Sequence, residues 1–132
     1  MSSVSDARRW LSQAEADLAA ARTNAGLHPH VACFMAQQAA EKAMKAAQIA
    51  SAGVVARTHS LLELEGMLSR LGVTLQGVKT RALRELERLH IEARYPDALP
   101  GAIPAEYFTT DDAEEAIAVA TSVVAAVRSF LG

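Results

Sequence analysis

The sequence predicts an all-α fold, an antiparallel up-and-down bundle of about five helices with one long proline-rich loop before the last of them. Three observations carry this. Apolar residues recur at spacings of three and four in five separate stretches. Each stretch is bounded by capping or breaking residues, and none shows the alternation of a strand. A composition that is 51% hydrophobic but only 5% aromatic lets alanine-rich helices pack closely through small side chains. The 132 residues read as a single domain, 1–132, and a chain of that size buries roughly two-thirds of its unfolded surface.

The first helix presents Ala7, Leu11, Ala14, Leu18, Ala21 and Ala25, with Ser3 or Ser5 as its cap and Gly26 as its stop. The second begins near Pro29 and ends at Gly53. Its ridge of Ala32, Ala36, Ala39, Ala43, Ala46 and Ala50 lets a neighbouring backbone come close. Ser60 and Glu63 have capping-box spacing and open a third helix through Leu61, Leu64, Met67, Leu68 and Leu71 to Gly72. The fourth runs from about Leu75, with Val78, Ala82, Leu86, Leu89 and Ala93 on one stripe. It stops near Tyr95, because Pro96 disfavours the α conformation before it. Pro96, Pro100, Gly101 and Pro104 punctuate the loop, and Tyr107-Phe108 is expected to pin it back to the core. Thr109 to Asp112 caps the last helix, which buries Ala113, Ala116, Ile117, Ala120, Val124, Val127 and Leu131.

Thirteen Lys and Arg against 15 Asp and Glu leave a formal charge of −2, which gives no support to a generic nucleic-acid coat. The single Cys33 cannot form an intrachain disulfide and reads as a small buried hydrophobe. A reducing, cytoplasmic setting is expected. The N-terminus lacks a basic region followed by an apolar run, and no stretch of about 18 apolar residues occurs, so neither export nor membrane spanning is expected. His28-Pro29-His30 brings two imidazoles near a helix start without a third ligand, which argues against a metal site. No metal and no cofactor are expected.

Four polar groups on the second helix, Gln38, Glu41, Lys42 and Lys45, cluster at spacings of three and four. They are either a solvated face with a Glu41–Lys45 pair or a face turned to a ligand or partner. Arg81, Arg84 and Arg88 share a face of the fourth helix, where Glu85 and Glu92 can neutralise them. Arg84 and His90 lie about 120° apart around a continuous helix and would not converge on one phosphate. His90 borders the apolar stripe, and His59 stands just before the third helix. Arg94-Tyr95-Pro96-Asp97 delivers a cationic fork, a phenol and a carboxylate to the mouth of the long loop. It is either a site or a structural Arg94–Asp97 clamp.

The run Ala32-Cys33-Phe34-Met35-Ala36-Gln37-Gln38-Ala39-Ala40-Glu41-Lys42-Ala43-Met44-Lys45-Ala46, then His59-Ser60-Leu61, then Arg94-Tyr95-Pro96-Asp97-Ala98 resembles the HEPN domain, the higher eukaryote and prokaryote nucleotide-binding family, of the small stand-alone prokaryotic type. The resemblance covers nearly the whole chain, from Trp10-Leu11 into the last helix. It implies an up-and-down helical bundle, often dimeric and frequently encoded beside a minimal nucleotidyltransferase. It also implies one of two roles. Some members are metal-independent ribonuclease toxins that use an Arg followed four to six residues later by His, whereas others are non-catalytic binding modules. By position Arg94 matches that arginine, but no histidine follows it. Arg84 and His90 match the spacing at the wrong place.

The expectation is therefore a non-catalytic module that binds a nucleotide, an RNA phosphate or a nucleotidyltransferase-type partner, as a homodimer in a toxin–antitoxin-like pair. Gln38, Glu41, Lys42, Lys45, Arg94, Tyr95 and Asp97 are its binding candidates, with Arg94 as the phosphate fork. A ribonuclease using His90 or His59 with an arginine such as Arg84 is the alternative, and a purely structural dimerisation bundle is the third reading.

Overall fold

The computed structural model describes residues 3–132, and among these it is all-helical. Helices α1 (Ser3–Asn24), α2 (Pro29–Ala52) and α7 (Thr110–Leu131) are the long members. Shorter segments α3 (Leu61–Arg70), α4 (Thr80–Glu87), α5 (Leu89–Glu92) and α6 (Pro104–Tyr107), with a 3₁₀ turn over Pro96–Ala98, wrap one side. Helix α2 is the central element and packs on every other helix. Its ridge explains why: Ala32, Ala36, Ala39, Ala43 and Ala46 are fully buried, which lets α1 and α7 lie against its backbone.

Several local expectations are corrected. Neither Ser3 nor Ser5 caps the first helix, because α1 already includes both. The fourth helix starts at Thr80 rather than Leu75, because Gly77 adopts a left-handed φ of 78° that no right-handed helix can contain. The helix also lapses for one residue at Arg88, which separates α4 from α5. The long loop in turn holds two short helical pieces, each opened by a proline at its first positions, where the missing N–H is no loss.

The caps divide. Thr109 and Asp112 make both halves of a capping box. Ser60 Oγ accepts from the Glu63 N–H at 3.2 Å, but the Glu63 carboxylate accepts from the Thr58 hydroxyl at 2.6 Å instead of returning to Ser60. Phe108 packs against the core as expected, whereas Tyr107 stays 54% exposed.

Candidate functional site

Of the polar cluster expected on α2, either a solvated face or one turned to a ligand or partner, Glu41 and Lys45 belong to an interior polar line, whereas Gln38 and Lys42 are half-buried. Gln37, Glu41, Lys45 and Gln48, one or nearly one turn apart, are all buried. A lone charge there would be prohibitive, so the line satisfies itself. Lys45 Nζ donates to Glu41 Oε2 at 3.0 Å, and Gln37 Nε2 donates to Glu41 Oε1 at 3.2 Å. Gln38 donates to Gln37 Oε1 at 2.8 Å and so stands one step behind the line. Burial pushes the Glu41 carboxyl up, but the hydrogen bonds from Lys45 and Gln37, the Lys45 charge and the His59 bond outweigh it. They hold Glu41 below the usual carboxylate range.

Two histidines cover the outer end of this line. His59 reaches Glu41 from the segment entering α3, with Nδ1 3.2 Å from both carboxylate oxygens. Its ring stacks on His90 of α5, with centroids 4.1 Å apart and planes inclined by 17°. The backbone explains how His59 is held: Ser60 caps α3 and also donates to Glu87 Oε1 at 2.8 Å, so the residue before the helix has a fixed direction.

Arg94 closes the cluster. Its Nε donates to the His90 carbonyl at 2.6 Å, and its Nη2 lies 3.1 Å from His90 Nε2. Its guanidinium lies over the Phe34 ring at 4.6 Å and over the Tyr95 ring at 4.9 Å. The tautomers follow from chemistry. Arginine can only donate, so His90 Nε2 carries the lone pair and its ring proton sits on Nδ1. A carboxylate can only accept, so His59 carries its proton on Nδ1, leaving Nε2 without a partner among the described residues. Burial, then the His59 and Arg94 charges, lower the His90 pKa.

The sequence-predicted residues therefore fall into two groups. Glu41, Lys45, His59, His90, Arg94 and Tyr95 share one cluster. Lys42 leaves it: its Nζ bonds the buried Asp17 carboxylate on α1 at 2.6 Å. Asp97 makes no clamp with Arg94, whose donors go to His90. Arg84 is exposed and has no hydrogen bond or ion pair among the described residues. Phe34 and Gln37 are the members that sequence reasoning did not single out.

An open cleft of about 620 Å³ adjoins the two histidines and is walled by Ser60, Glu87, Arg88, Ile91 and Glu92. A larger groove of about 650 Å³ lies between α4 and α7 over Cys33, whose thiol is pushed up to about 12 by burial and then by the Asp112 charge. That makes the thiol inert. The two grooves meet at Arg88 and Glu92, which line both.

Donor atoms of Glu41, His59 and His90 all lie within 4.8 Å of one another, close enough to raise the question of a cation. Near-parallel stacked rings aim their lone pairs side by side rather than at one point. Lys45 and Arg94 already place positive charge on Glu41 and His90. The arrangement suits an anion better.

An all-α bundle with a buried acid–base line ending in paired histidines and an arginine defines a small helical domain of the HEPN type. The chain belongs to that family: the HEPN domain pattern matches residues 7–130. The crystal structure of TT1696 from Thermus thermophilus is similar, at 37% identity over 93% of this chain and 96% of that one, with a TM-score of 0.77. ST0689, described as an archaeal HEPN homologue, is 31% identical over 96% of this chain and 98% of that one, with a TM-score of 0.74. No match is found among curated proteins. Within the described residues no helix is long and apolar enough to cross a membrane.

Proposed function

We propose that the Arg94–His90–His59 cluster binds the phosphate of a nucleotide or of RNA. The observation that carries this is the position of Arg94 at the mouth of a loop, its guanidinium lying over the Phe34 ring and the Tyr95 ring, with Nη1 making no hydrogen bond among the described residues. A planar fork so held is preorganised for phosphate oxygens, while Tyr95, 46% exposed, offers a ring on which a base can stack. Calorimetric titration with a short oligoribonucleotide tests it. Arg94→Ala is expected to weaken binding tenfold or more, whereas equal affinity for the variant overturns the reading.

Metal-independent RNA cleavage is a second reading, favoured by one observation. Glu41 fixes His59 with its Nε2 free, the arrangement that lets an imidazole take the proton of a ribose 2′-hydroxyl. The oxygen so freed would attack the adjacent phosphorus and expel the 5′-oxygen, which takes a proton from water and leaves as a hydroxyl, giving a cyclic phosphate, with Arg94 stabilising the added charge. Cleavage lost in His59→Ala supports this reading, and cleavage retained there removes it. The family resemblance supports the rest of the proposal: a homodimer acting in the cytoplasm with a minimal nucleotidyltransferase in a toxin–antitoxin-like pair. Co-purification of the two proteins tests it.

A further inference from the structure

We infer that His59 determines which phosphates the cluster accepts. An internal phosphodiester binds with the ring neutral, and a terminal phosphate monoester binds together with one proton taken up on His59 Nε2. This rests on the phosphate-binding reading and goes beyond it.

Lys45 and Arg94 are fixed cations and Glu41 is a fixed anion, so with both imidazoles neutral the cluster carries a single positive charge. A phosphodiester is a monoanion and balances it. A terminal phosphate above its second ionisation approaches a dianion and needs one more positive charge. Two places could supply it, and the geometry chooses between them. His90 Nε2 faces an Arg94 N–H at 3.1 Å, so a proton there would set two donors against each other. His59 Nε2 has no partner among the described residues, and a charge on that ring lies across Nδ1 from the Glu41 carboxylate. With centroids 4.1 Å apart, the two rings do not both become imidazolium. The groups facing His59 are Glu41 and Lys45 of α2, His90 of α5 and Arg94 beyond it. Glu87, Arg88 and Glu92 wall the adjoining cleft, and Arg88 is already paired to Glu92 at 2.8 Å.

The probes are adenosine 5′-monophosphate and the dinucleotide adenylyl-adenosine, which has one internal phosphodiester and no terminal phosphate. Calorimetry in two slightly alkaline buffers of different ionisation enthalpy counts the protons bound with each. The monophosphate should take up about one proton and lose affinity roughly tenfold per pH unit as pH rises, and the dinucleotide should do neither. Histidine-ring NMR of the saturated complexes should show imidazolium at His59 with the monophosphate only. Equal uptake by both probes overturns the inference and leaves the phosphate site standing. So does uptake without ring protonation, which places the proton on the phosphate. If neither probe binds, the phosphate reading and the inference fall together.

Discussion

The Glu41 carboxylate, 4% exposed in the middle of α2, accepts from His59 Nδ1 at 3.2 Å and so ties the chain entering α3 to the buried polar line. This contact links the interior of the bundle to its candidate site. Glu41→Gln leaves the buried Lys45 ammonium without its counter-charge and is expected to destabilise the fold by about 3 kcal/mol in urea unfolding. Because the folded-state carboxyl is held below its ordinary value of 4.5, the unfolded chain binds the proton more tightly. The stability that Glu41 contributes is present above that value and lost as pH falls through the lower folded pKa. The acid limb of the stability profile should therefore flatten in Glu41→Gln.

His90 is also lowered, by burial first and then by the His59 and Arg94 charges. For a base, a folded pKa below 6.5 again means that the unfolded state binds the proton more tightly. Its contribution is lost as pH falls below 6.5. In NMR titration the His90 ring should titrate below 6.5 in the wild type. In Arg94→Ala it should move upward while remaining below 6.5, because burial, the larger cause, is untouched.

Lys42→Ala separates a structural lysine from a ligand-binding one. Lys42 holds the buried Asp17 carboxylate at 2.6 Å on α1, so its loss should lower stability by roughly 1–3 kcal/mol. Ligand affinity in the same variant should stay within error of the wild type. A selective loss of binding would place Lys42 back in the site.

The capping box at the start of α7 gives a prediction independent of the site. Thr109→Ala removes the side-chain acceptor for the Asp112 N–H. The expected cost is about 1 kcal/mol, read as a lower thermal midpoint with unchanged ligand affinity.

Most of the fold was legible because helix periodicity and caps are local. The alanine ridge of α2, the Gly53 stop and the Thr109 cap are all where the spacing puts them. The start of α4 was not, because the left-handed turn at Gly77 cancels the apparent periodicity of Leu75 and Val78. The site was half legible. Glu41 and Lys45 stood out by spacing, but their burial comes from tertiary packing, and the His59 that bonds Glu41 stands 18 residues away in sequence. Lys42, beside Glu41 in the chain, points to α1 because residues one apart on a helix do not share a face. His90 looked like a boundary histidine by its place on one helix. Only the packing of α5 against α2 and the α3 entry stacks it on His59. One sequence signal did exist, the HEPN resemblance that placed His59 and Arg94 in the same motif series.

The most direct measurement of the phosphate-site account is a histidine-ring NMR titration with a short oligoribonucleotide, in which all four histidines serve as probes. His28 and His30 flank the start of α2 and are internal controls. Saturable shifts of the His59 and His90 rings are expected, with the other two unmoved. Equal shifts at all four rings, or none at His59 and His90, would contradict a phosphate site there.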